Sequence, residues 1–195
     1  MRRMTPAHTP HEITSEVSLP PGVRLVACTH ALHAQAILDI LNDAIINTTA
    51  LYDYQPRPFT AMEPWFATKV SNGFPVVGLE DDEGRLLGFA SYGTFRNFPA
   101  FKYSVEHSVY VASAARGRGL GELLLRLIVE QARARQVHVV IGAIDASNAA
   151  SIALHRKVGF EASGLIRQAG FKFGRWLDLA FYQRTLDTPA DPVDG

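Results

Sequence analysis

The sequence predicts a mixed α/β fold, in which a sheet of mixed strand direction carries helices on both faces. Three observations point there. Strand and helix candidates follow one another in the order β-α-α-β-β-β-α-β-α-β-β. Strands alternate with helices only in the second half of the chain, which disfavours a doubly wound parallel sheet. The last two strand candidates adjoin each other and suit an antiparallel pair.

Each element has local grounds. VRLVA at 23–27 is a short strand. Thr29 can cap the helix after it, where Ala34, Ile37, Leu38, Leu41 and Ile45 recur at helical spacing and bury one face. The stretch 47–58, NTTALYDYQPRP, is aromatic, proline-bearing and irregular. Thr60 can cap a second helix holding Trp65, Phe66 and Val70 and ending at Asn72-Gly73. Strands at 75–79 and 85–94 flank the acidic turn DDEG, which suits a hairpin. The aromatic loop FRNFPAF at 95–101 precedes a strand at 103–111, YSVEHSVYV. A glycine-rich turn then opens a helix with Leu120, Leu123, Leu124, Leu127 and Ile128. The near-continuous apolar run 137–144 reads as a central strand covered on both faces. Residues 148–158 are helical, and Gly159 is a natural stop. Strands at 160–169 and 172–185 end the domain.

The chain has 195 residues, the size of a single domain, and its 47% apolar content is enough for a core. Lys plus Arg equals Asp plus Glu at 19 each, so nothing draws the whole molecule to nucleic acid or an anionic membrane. The single cysteine, Cys28, permits no intrachain disulfide and no cysteine-based zinc site, which fits a cytoplasmic location. The histidines show no metal-ligand spacing, so no metal is expected. No apolar run approaches the roughly 18 residues that span a bilayer. Residues 1–22 carry Arg2 and Arg3 without an apolar run behind them, so they read as a disordered leader rather than a signal peptide. Residues 187–195 read as a flexible tail, which leaves 23–186 as the folded domain.

Chemistry concentrates at Arg116-Gly117-Arg118-Gly119-Leu120-Gly121, between a strand and a helix. The glycines let backbone approach a ligand and take positive φ. The helix start offers free N–H groups and the positive end of its dipole, and two arginines add charge. Together these suit a pyrophosphate; a flexible helix start with solvated arginines is the plain alternative. A Walker loop fails, because Gly121 is followed by Glu122 and Leu123. A dinucleotide fingerprint fails at Glu122 or Leu124, depending on the starting glycine.

Arg116-x-x-Gly119-x-Gly121 after an apolar strand resembles the acetyl-CoA signature of the GNAT superfamily. Asn148-Ala-Ala-Ser-Ile-Ala-Leu-His155-Arg-Lys-Val-Gly-Phe160 resembles that superfamily's second CoA motif. The segments EHSVYV at 106–111, the aromatic loop with Arg96, and FKFGRWLD at 171–178 are similar to phosphinothricin and methionine sulfoximine (sulfone) N-acetyltransferases. The resemblance runs over about 23–186. It implies a mostly antiparallel sheet flanked by helices and transfer of an acetyl group from acetyl-CoA to the amine of a small, amino-acid-like acceptor. It further implies a homodimer. On this resemblance acetyl-CoA lies against Val109, Tyr110 and Val111, whose main chain pairs with the pantetheine arm. It continues over Arg116, Gly117, Arg118, Gly119, Leu120, Gly121 and Glu122, and past Asn148 and Ser151. The acceptor lies beside Arg96, Asn97, Phe98, Glu106, His107 and Ser108.

Amine acetylation needs a neutral nitrogen, and an α-amino group has a pKa of roughly 8, so a base is useful. Glu106 is the candidate: a carboxylate amid Val105, Val109 and Val111 is costly unless paired or used. The competing role is a structural carboxylate bonded to backbone or His107. His155 occupies the position where many GNAT enzymes carry a tyrosine acid, and it either donates a proton to the leaving thiolate or packs beside the cofactor. Asn148 suits an N-cap, a pantetheine contact, or both. Arg96 can clamp a carboxylate in two-pronged fashion, with Phe98 as pocket wall, or stand as a surface arginine. Two other functions stay open: a protein or peptide N-terminal acetyltransferase, and an acetyl-CoA-binding module without turnover.

Overall fold

The computed structural model describes residues 17–194. Residues 1–16 of the expected leader lie outside them. At its end, Val17 and Leu19 pack against the core. In the expected tail, Tyr103 Oη accepts from the Val193 N–H at 3.2 Å, and Thr188 Oγ1 donates to the Val137 carbonyl.

The predicted order of elements is the observed one. Strands are β1 (Val23–Ala27), β2 (Val76–Asp81), β3 (Leu86–Thr94), β4 (Ser104–Val111), β5 (Val139–Asp145), β6 (Glu161–Lys172) and β7 (Arg175–Thr185). Helices are α1 (His30–Asn47), α2 (Met62–Ser71), α3 (Leu120–Ala134) and α4 (Ala149–Lys157). One seven-stranded sheet runs β1-β2-β3-β4-β5-β7-β6, antiparallel throughout except for the parallel pair β4–β5.

Successive strand residues point to opposite faces, and the sequence fills both. Val76 and Phe89 join Ile37, Leu38, Leu41, Met62 and Phe66 in a core beneath α1 and α2. Their neighbours Val77 and Ala90 turn the other way, into a core with Leu124, Leu127 and Ile128 of α3. The molecule therefore has three layers, with the sheet in the middle. Thr29 caps α1 as expected, accepting from the Leu32 N–H. Thr60 does not cap α2. It lies inside a 3₁₀ turn, Phe59–Ala61, whose own hydrogen bond from Ala61 N to Pro58 O leads into the helix, and Ala61 occupies the cap position.

The β4–β5 junction positions the site. Only three rungs join these strands: Ser104 with Val139, Val105 with Val140, and Glu106 with Ile141. Beyond Glu106 the strands part, and the edge of β4 from His107 to Val111 stays bonded to β3 alone.

Candidate active site

The parting strands open a cleft of about 630 Å³. One wall is β4 from Glu106 to Val111; the other is Gly142 to Asp145 of β5 with the start of α4. The cradle closes one end, through Arg116, Gly117, Gly119, Leu120 and Gly121. The loop residues Ala50, Leu51 and Tyr52 cover the cleft from the α1 side. Asn148, Ser151 and His155 also line it. Of the residues singled out in the sequence, Arg96, Asn97, Phe98, Arg118 and Glu122 do not. Glu122 turns to Arg126 and Lys157, and Phe98 is two-thirds exposed on its loop.

The cradle has the shape expected for phosphate oxygens. Gly117 and Gly119 take φ of 77° and 76°, the left-handed region, and a Cβ on either would meet nothing within 4 Å. Gly119 is the N-cap of α3 and offers no side-chain cap, so the N–H groups of the first turn are free for an anion. The Arg116 guanidinium is engaged with Asp43 of α1 at 2.9 Å and, through Nε, with the Val111 carbonyl at 3.3 Å. Its charge borders the cleft and is paired with the Asp43 carboxylate. Asn148 caps α4, accepting from the Ser151 N–H at 3.0 Å, and borders the cleft at the same time.

Glu106 stands at the last rung of the junction, half-buried and facing the cleft. Burial raises its pKa, and the positive charge of Arg96 opposes the rise. Arg96 thus reaches the cleft by its field, although its side chain rests over Phe95, 4.9 Å from the ring centroid. Tyr52 lies across the opening, its pKa raised to about 12 by burial and by the charges of Asp145 and Glu106. Asp145 is buried and holds Ser147 through its N–H at 2.9 Å and its hydroxyl at 2.8 Å.

His107 and His155 meet at the floor. Their rings stack with centroids 5.0 Å apart, and their Nε2 atoms are 3.0 Å apart. His155 Nδ1 lies 2.7 Å from the Ser151 carbonyl, which can only accept, so the hydrogen-bond geometry assigns the His155 hydrogen to Nδ1. Burial lowers the pKa of both rings, His107 to about 3, so each is neutral near pH 7. His155 Nε2 is then an acceptor, and His107 Nε2–H donates to it. His107 Nδ1 is buried and has no partner among the described residues. Gly142 makes the meeting possible: a Cβ there would lie 2.8 Å from His107 Nε2 and 3.0 Å from His155 Nε2. Tyr52, Gly142 and Asp145 were not singled out in the sequence. A glycine inside an apolar strand was the available signal for Gly142.

Among the described residues no group of His, Cys, Asp and Glu could hold a metal, and no helix is long and apolar enough to cross a membrane. Residues 35–160 match the family model for the acetyltransferase (GNAT) family. An L-methionine sulfoximine/L-methionine sulfone acetyltransferase of Pseudomonas aeruginosa is 50% identical over 151 residues, 77% of this chain and 88% of the relative. A phosphinothricin N-acetyltransferase of Streptomyces coelicolor is 33% identical over 176 residues, 89% of this chain and 98% of the relative. The crystal structure of a GNAT superfamily phosphinothricin acetyltransferase from Sinorhizobium meliloti in complex with acetyl-CoA superposes with a TM-score of 0.83 at 37% identity, covering 88% of this chain and 92% of that one. The glycine cradle, the unpaired edge of β4 and the matched span together make this chain a member of the acetyltransferase (GNAT) family.

Proposed function

We propose that the chain transfers the acetyl group of acetyl-CoA to the amine of a small amino-acid-like acceptor, of the methionine sulfone, methionine sulfoximine or phosphinothricin kind, with Glu106 as general base. The observation that carries this reading is Glu106 itself: a half-buried carboxylate of raised pKa at the vertex where the cleft's two walls part. The relatives' names supply the acceptor class.

The residues divide the work by position. The free N–H groups at the start of α3 receive the pyrophosphate, and the open edge of β4 pairs with the pantetheine amides as an extra strand would. Glu106 takes the proton that the acceptor ammonium must lose. The freed amine forms the new N–C bond to the thioester carbon as the C–S bond breaks, and the second proton that the nitrogen sheds passes to the departing thiolate, which leaves as the thiol. The raised pKa narrows the gap between base and ammonium. The carboxylates of Glu106 and Asp145 give the acceptor's ammonium a negative surround, beside the protonated Tyr52 hydroxyl. Arg96, at the rim, receives its carboxylate. His155 keeps its hydrogen on the Ser151 carbonyl, so it serves as wall and floor of the cleft; delivery of a proton to the thiolate would require the ring to leave that bond.

The test is release of free thiol from acetyl-CoA against methionine sulfone, methionine sulfoximine, phosphinothricin, the common amino acids and a set of peptides with free N-termini. Turnover of one of the first three is expected to exceed that of every peptide by about 100-fold or more in kcat/KM. Peptides turned over as well as the free amino-acid analogues would overturn the reading and leave the N-terminal acetyltransferase in its place.

A further inference from the structure

Lys172, the last residue of β6, is a charged side chain with only 4% of its surface exposed. It lies outside the cleft lining, and none of the chemistry above uses it. An ammonium removed from water is costly unless all three hydrogens find acceptors. Here they do: Nζ donates to the carbonyls of Ile45 at 2.6 Å, Thr48 at 2.9 Å and Leu51 at 2.6 Å. Ile45 belongs to the last turn of α1, which has no basic residue of its own, and Thr48 is its C-cap. The cation therefore sits at the negative end of the helix. It also draws in Leu51, where the chain has already left the helix.

That irregular stretch covers the cleft. Leu51 and its neighbours Ala50 and Tyr52 line it opposite β4, and Tyr52 lies within the field of Glu106 and Asp145. A further tie comes from the neighbouring residue of β6: Tyr54 Oη donates to the Phe171 carbonyl at 2.7 Å. The end of β6 thus grips the loop from outside, while the loop's inner surface faces the base. Resting on the acceptor reading given above, we propose that Lys172 is a positioning residue for the acceptor half of the cleft: by gathering three carbonyls around one ammonium, it fixes where Leu51 and Tyr52 stand relative to Glu106. The glycine turn of the cradle closes the other end of the cleft; it meets α1 through Asp43, the partner of Arg116 and a residue that Lys172 does not touch, so the turn's backbone does not depend on Lys172.

The experiment compares the parent with Lys172→Met and Lys172→Arg, and adds Tyr54→Phe, an exposed position whose change spares the core. Steady-state kinetics are read for acceptor and acetyl-CoA separately. Acetyl-CoA affinity is read by calorimetry, and hydrogen exchange of residues 48–54 by mass spectrometry. Misplacing a reacting group by about 1 Å can cost on the order of 100-fold. For Lys172→Met we expect acceptor kcat/KM to fall at least about tenfold, with acetyl-CoA affinity within about twofold of the parent. Exchange of residues 48–54 quickens while that of residues 116–123 stays, and Lys172→Arg recovers part of the acceptor loss. Tyr54→Phe gives a smaller loss with the same split, and it decides the matter if Lys172→Met does not fold. Acceptor kinetics unchanged, or losses equal for both substrates, would overturn the proposal. If the parent acetylates none of the amino-acid analogues, the acceptor reading fails. The exchange data then still decide whether Lys172 holds the loop.

Discussion

A carboxylate whose folded pKa is raised weakens the fold once ionised. For Glu106 the favourable contribution is complete below the unfolded value of roughly 4.3 and is lost as pH rises through the folded value. Glu106→Gln should therefore melt no lower than the parent at neutral pH, while turnover falls on the order of 10²–10⁴-fold. The parent's rate should climb with pH along an acid limb that Glu106→Gln lacks. Turnover of Glu106→Gln within about threefold of the parent, with the limb intact, would remove Glu106 from the role. Gly142 offers a second residue-scale expectation. Alanine there forces the His107–His155 bond apart, at a cost of about 1–3 kcal/mol by denaturant unfolding. The same change should cost less on a His107→Ala background, since the clash partner is gone. Equal costs on both backgrounds would mean that the two rings do not set the need for glycine.

The element proposed to receive the cofactor's pyrophosphate is the turn into α3. A Cβ at Gly119 meets no neighbour within 4 Å, but valine there must adopt φ near 76°, which a β-branched residue resists. Gly119→Val should lose acetyl-CoA affinity by calorimetry while the apolar face of α3, with Leu124 and Ile128 fully buried, keeps the domain folded. Parental affinity would place the cradle elsewhere. This turn was legible in the sequence because glycine identity reports backbone conformation directly. Helices and strands were legible for a related reason: their apolar spacing records which face is covered. The cap at Thr60 was misread because a threonine before a helical pattern looks the same whether it caps the helix or sits in the 3₁₀ turn ahead of it. Lys172 was not legible as a partner of the loop that holds Tyr52. Its contacts join residues more than a hundred positions apart, through carbonyls that any residue type provides. Arg116 lines the cleft while its guanidinium also reaches Asp43, and the Glu122 carboxylate reaches Lys157; no local pattern encodes those partners.

At the scale of the whole molecule, acetyl-CoA should raise the melting temperature in a concentration-dependent way, because a ligand bound only by the native state stabilises it by mass action. No shift at acetyl-CoA concentrations far above its KM would contradict the cleft's assignment. The three rungs between β4 and β5 give that stabilisation a particular form. Mechanically, the sheet is two plates, β1 to β4 and β5 to β7 with β6, riveted at one corner by Ser104–Val139, Val105–Val140 and Glu106–Ile141. Past the rivets, no strand-to-strand bond resists the plates swinging apart. A pantetheine arm lying between them would act as a removable brace. Amides on both lips, at 108–111 and at 142–145, should then slow their exchange together when acetyl-CoA is added, whereas those of β1, at the far edge of its plate, should not respond.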